Sequence, residues 1–109
     1  VMEDQYYIVD LRKEFSGQKY VTFWGPANCG YKWPLPWAGK YTLGNIEVDP
    51  AYYSKPDGSR FPVLCSVVDA LAVNPDPGDI DNDTGPVLRM TPSIRRLLRR
   101  NRLRHVVAG

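Results

Sequence analysis

Six arginines, Arg95, Arg96, Arg99, Arg100, Arg102 and Arg104, fall after residue 90 with no acid among them. Guanidinium groups in such a run can neutralise phosphates along a nucleic-acid backbone or meet an acidic protein surface. The rest of the chain holds eight basic and twelve acidic residues, so a body of −4 carries a tail of +6. The tail also has a plainer reading, a solvated helix face partly neutralised by the chain's own acidic loop. No helix-turn-helix, zinc-finger, KH or RNP-type pattern accompanies the arginines, which leaves sequence-independent contact as the nucleic-acid reading.

Three acids, Asp79, Asp81 and Asp83, stand at positions 1, 3 and 5 of a calcium-type loop. Position 6, which needs glycine, is Thr84, and position 12, which needs a bidentate glutamate, is Met90. The loop is therefore a weak metal candidate, and an acidic turn facing the arginine helix is the preferred reading. Cys29 and Cys65 lack the C-x-x-C spacing of a zinc or redox site and read as free thiols. The single histidine, His105, lies in the arginine tail, and no spacing ties it to either cysteine as a base. A small metal- or thiol-dependent enzyme is the least supported class, and no cofactor is expected.

Aromatic residues form the third group. Trp24, Tyr31, Trp33, Trp37 and Tyr41 lie among Gly25, Pro26, Gly30, Pro34, Pro36 and Gly39. Prolines remove backbone donors and glycines permit close approach, so short extended pieces and tight turns are expected between residues 25 and 41. Such rings can form a recognition surface or serve as core. Trp24 and Tyr31 are assigned to the core, and Trp37 and Tyr41 to the exposed surface.

The elements that must position these groups follow from pattern. The chain has 109 residues, of which 43% are apolar and 24% charged, which fits one globular domain with a packed core. Val1 and Met2 read as a remnant or disordered start, and residues 105–109 as a frayed tail. No apolar run approaches the roughly 20 residues of a membrane span, so no membrane partner is expected and a cytoplasmic setting is. Tyr6–Leu11 and Tyr20–Trp24 read as a strand pair across a Ser16-Gly17-Gln18 turn, the second strand being central because both its faces are apolar. Residues 45–60 read as a loop with at most one short turn and two exposed tyrosines, Tyr52 and Tyr53. Phe61–Ser66 reads as a strand followed by a helical turn at Asp69–Leu71, and Pro86–Met90 as a short extended run. Thr91-Pro92 is an N-cap with proline at the first helical position, so a C-terminal helix starts there. Its apolar stripe is Ile94, Leu97, Leu98 and Asn101, while Leu103 falls opposite, so docking is expected for about two turns before the tail frays. Together these give an α+β class, a small mostly antiparallel sheet packed against one C-terminal helix.

The run Thr22-Phe23-Trp24-Gly25-Pro26-Ala27-Asn28-Cys29-Gly30-Tyr31, followed by Trp33-Pro34-Leu35 and Trp37-Ala38-Gly39-Lys40-Tyr41, resembles small uncharacterised phage- and prophage-encoded proteins. These share an F-W-x-P-x-x-x-G-Y…A-G-x-Y signature and a Thr-Pro-initiated C-terminal helix. The resemblance implies a phage accessory protein in a bacterial host cytoplasm, acting stoichiometrically on a host protein or complex, inhibition of a defence system included. On this reading the chain is a binding module. Its partner-binding residues are Trp33, Trp37 and Tyr41 together with Arg95, Arg96, Arg99, Arg100 and Arg102, and nucleic acid is the alternative partner for the arginines.

Overall fold

A computed structural model describes residues 4–80 and 85–103. Strand β1 (Gln5–Asp10) organises it, because its β-branched and aromatic residues are buried on both faces. On one side β1 pairs antiparallel with β5 (Arg60–Leu64) over its length, from Tyr6↔Leu64 to Asp10↔Arg60. On its other side it meets β2 (Thr22–Trp24) at one end and β4 (Tyr41–Thr42) at the other, and β3 (Tyr31–Lys32) extends the sheet beyond β2. The expected α+β fold with a small antiparallel sheet and a C-terminal helix is what the chain adopts.

Alternation along β1 divides the interior into two cores. Tyr7, Val9 and Leu11 join Val21, Phe23, Phe61, Val63, Val68 and Leu98 on one face. Tyr6 and Ile8 join Trp24, Tyr41, Ile46 and Tyr53 on the other. The first face is covered by α3 (Cys65–Leu71) and α4 (Pro92–Arg100). The second is covered by α1 (Leu43–Glu47) and α2 (Pro50–Tyr53), so the sheet is packed on both faces rather than under one helix.

These helices correct the reading of residues 45–60 as a loop. Thr42 and Asn45 form a reciprocal capping box, with Asn45 N–H donating to Thr42 Oγ1 at 3.1 Å and Thr42 N–H to Asn45 Oδ1 at 3.0 Å. Pro50 opens α2, and Tyr53 turns inward to 9% exposure instead of lying on the surface, while Tyr52 is exposed as expected. Helix α3 begins at Cys65, earlier than expected, because Val67, Val68 and Leu71 pack at helical spacing under the sheet.

Thr91 caps α4 as read, accepting from Ile94 N–H at 3.1 Å. The helix stops at Arg100, where Asn101 Nδ2 donates back to the Leu97 carbonyl at 2.8 Å. Leu103 does not fray: its N–H donates to the Pro62 carbonyl at 2.8 Å, and its side chain joins the second core. Arg102 pairs with Val63 across the outer edge of β5 and covers it; the Pro62 carbonyl accepts on that same edge, so the proline's missing donor faces outward and takes nothing from the β1–β5 ladder. Pro86–Met90 is attached through isolated pairings, Tyr20↔Arg89 and Val73↔Val87, rather than as a full strand. The expectations for residues 1–2 and 105–109, and those placed on Asp81, Asp83, Thr84, Arg104 and His105, lie outside the described residues. No helix among the described residues is long and apolar enough to cross a membrane.

Candidate functional site: an aromatic cleft

The signature stretch splits into a structural half and a surface half. Gly25 and Gly39 belong to the first, because their backbones touch. A Cβ at Gly39 would lie 2.7 Å from the Gly25 carbonyl, and one at Gly25 would overlap the Cys29 carbonyl. Tyr41, assigned to the exposed surface from sequence, is 6% exposed. Its hydroxyl donates to the Gly25 carbonyl at 2.6 Å and accepts from Asn28 N–H at 2.9 Å, so the polar end of a buried ring is satisfied by the loop it holds. That loop carries Ala27 and Asn28 at φ of 53° and 61°, a strained pair for residues with a Cβ.

Tyr31, assigned to the core, is instead 50% exposed, because β3 is the outer strand of the sheet and its ring spreads over Phe15, with ring centres 5.1 Å apart. Trp37 is exposed as expected, at 48%. With Phe15 and Trp33 these rings wall an open cleft of about 400 Å³ whose floor is Gln18 and Thr22. Trp33 is half-buried against Tyr20, edge to face at 5.4 Å, so its orientation is fixed.

The polar floor is oriented as well. Gln18 Oε1 accepts from Trp33 Nε1 at 3.1 Å and from Thr22 Oγ1 at 3.0 Å. An indole N–H can only donate, which assigns the amide oxygen to it and leaves the Gln18 amide nitrogen without an acceptor among the described residues.

The cleft wall is anchored to the core through Asp10, a carboxylate with 0% exposure. It accepts from Arg12 Nε at 2.9 Å, from Arg12 Nη2 at 2.7 Å and from Trp24 Nε1 at 3.0 Å. Burial alone would raise the Asp10 pKa, but these donors outweigh it and hold the carboxyl below its ordinary value. The Arg12 guanidinium sits 5.3 Å from the Phe15 ring centre and 5.2 Å from that of Tyr31. One buried carboxylate therefore fixes both Trp24 in the core and the two rings of the cleft wall.

The acidic loop is occupied by other cations. Asp79 Oδ2 accepts from Lys19 Nζ at 2.8 Å and from Tyr20 Oη at 2.6 Å, while Asp76 pairs with Arg89 at 2.6 Å. Hydrogen bonds from Arg89 and Lys19 draw the Asp76 carboxyl down to about 2. The described part of this loop faces Lys19, Tyr20 and Arg89, not the α4 arginines it was expected to neutralise. Among the described residues no three His, Cys, Asp or Glu side chains gather as a metal site would require. Burial, then the nearby Asp69 carboxylate, pushes the Cys65 thiol up to about 11, which leaves it a poor nucleophile at neutral pH.

The eight residues assigned to one partner surface thus occupy three places. Trp33 and Trp37 line the cleft, Tyr41 is buried in the second core away from it, and the arginines lie elsewhere. Thr22, in the cleft floor, points to the sheet face opposite Val21 and Phe23, and those two share their core with Leu98 of α4. Phe15, Gln18, Thr22 and the Asp10–Arg12 anchor carry no spacing signal. The one trace is an acid, Asp10, ending an otherwise apolar strand. Comparison with protein-family models, curated proteins and solved structures gives no match for this chain.

Proposed function

We propose that this protein is a non-catalytic binding factor, of the phage accessory kind its signature resembles, which holds an extended segment of a host protein in the aromatic cleft. The observation that carries the reading is the convergence of Tyr31, Trp33 and Trp37 on one open cleft, with Tyr31 and Trp37 half-exposed and the wall braced from the core. Aromatic grooves of this type take extended peptides, whose apolar side chains lie against the rings while a positioned donor, here the Gln18 amide, takes a backbone carbonyl. Rigid aromatic anchors lose little conformational entropy on binding, and such residues dominate interface energetics. The setting on this reading is a bacterial cytoplasm, and the action is stoichiometric obstruction of host machinery.

The test is quantitative capture from bacterial lysate with wild type, Trp37→Ala, Tyr31→Ala, and an Arg96→Ala/Arg99→Ala/Arg100→Ala variant. Each aromatic truncation is expected to weaken capture of the same protein at least tenfold, since a truncated hot-spot residue costs about 2 kcal/mol or more. The arginine variant is expected to retain it. Retention by both cleft variants removes the cleft as the recognition site.

A further inference from the structure

Helix α4 carries a second surface on the other face of the sheet. Arg96, Arg99 and Arg100 are exposed, and Arg95 and Arg102 are half-buried. No carboxylate among the described residues lies within ion-pair distance of any of the five, whereas Asp10, Asp76 and Asp79 are taken by Arg12, Lys19 and Arg89. The turn nearest the helix places Gly58 beside Arg99 and carries one charge of each sign, Lys55 and Asp57. The patch is therefore cationic without a matched acidic partner in the described fold.

Local stability does not account for it. The i, i+4 pairs Arg95–Arg99 and Arg96–Arg100 are like-charged, and α4 contains no acid to relieve them. Only Arg99 and Arg100 gain from the negative end of the helix dipole. A partner that supplies regularly spaced anions turns this repulsion into attraction. Arg96 and Arg100 are one helical turn, about 6 Å, apart along the helix axis, so their two guanidinium groups can reach along one phosphate backbone together. The planar guanidinium fork matches phosphate oxygens better than a lysine ammonium would.

We infer that the exposed face of α4 binds the phosphate backbone of nucleic acid without reading its sequence, at a surface separate from the aromatic cleft. The inference stands independently of what the cleft holds. The probe is a labelled random-sequence DNA duplex of about 20 base pairs, followed by fluorescence anisotropy between 50 and 200 mM salt. Three exposed arginines correspond to a log–log slope near −2.7, at about −0.9 per phosphate, or about 40-fold weaker binding across that range. The Arg96→Ala/Arg99→Ala/Arg100→Ala variant keeps good helix formers on an exposed face, and circular dichroism confirms that it is folded. It is expected to lose most of that slope, while Trp37→Ala keeps both affinity and slope. Three results would overturn the inference: no binding at 50 mM salt, an unchanged slope in the arginine variant, or loss of binding in Trp37→Ala. Competition by polyglutamate as effective per charge as the duplex would also overturn it, by assigning the face to an acidic protein.

Discussion

Replacing Asp10 by asparagine isolates the anchor between core and cleft. Asparagine preserves the shape and can still accept from Trp24 Nε1, but it removes the charge that two Arg12 nitrogens hold at 2.9 and 2.7 Å. Breaking a buried ion pair by removing one partner costs about 3–5 kcal/mol. The Arg12 side chain is 33% exposed and regains some hydration, so the expected loss is about 2–4 kcal/mol. Urea unfolding followed by tryptophan fluorescence should show a midpoint lowered by about 1–2 M, taking a slope of about 2 kcal/mol per molar. Asp57→Asn serves as control, because its carboxylate is exposed and only tightens a turn through Ser59 N–H. Adding Arg12→Met to Asp10→Asn removes the orphaned cation and should recover part of the loss. A shift within about 0.5 kcal/mol for Asp10→Asn, the range of ordinary surface substitutions, would refute the reasoning.

Other substitutions probe the remaining assignments. Tyr41→Phe leaves the Gly25 carbonyl and Asn28 N–H without their shared hydroxyl and should cost about 1–3 kcal/mol in the same assay. Trp37→Ala, at a half-exposed position, should shift stability by less than about 1 kcal/mol, so that its effect on binding is not a folding effect. With a thiol reagent at neutral pH, one cysteine should react quickly and one slowly in the native state. Cys29→Ser should abolish the fast phase, because Cys29 is exposed and burial and Asp69 keep the Cys65 thiol protonated. The Asp76 carboxyl is depressed in the folded state, so the stability it contributes is complete above about pH 4 and is lost as pH falls toward 2. Asp76→Asn should therefore flatten the stability curve between pH 4 and pH 2 and leave its shape above pH 5 unchanged.

The parts of the fold legible in the sequence are those with a local cause. The β1–β2 pair announced itself by two β-branched, aromatic runs around a glycine turn, and α4 by Thr91-Pro92. Helices α1 and α2 are hidden in the sequence because Thr42 and Asn45 form an unusual capping box and because Asp49-Pro50 and Pro56-Asp57-Gly58 resemble loop punctuation. The exposures of Tyr31 and Tyr41 were exchanged for a related reason. Long-range structure decides which ring is drawn inward: the Tyr41 hydroxyl is held by Gly25 and Asn28, whereas Tyr31 lies on the outer strand β3. Leu103 appeared to break the helical stripe, whereas the helix had ended and the chain had turned to cover the edge of β5. The cleft joins Phe15 to Tyr31 by a ring contact and Gln18 to Trp33 by a side-chain hydrogen bond, and neither carries a periodic signal.

In the proposed function the cleft is where a protein partner sits. A photoreactive phenylalanine analogue placed at Trp37, with the same residue at Val48 as an exposed control, tests it directly when irradiated in bacterial cells. The expected result is one discrete adduct from position 37, absent from position 48 and lost when Tyr31→Ala is added. No adduct at position 37, or the same set of adducts from both positions, would contradict the account.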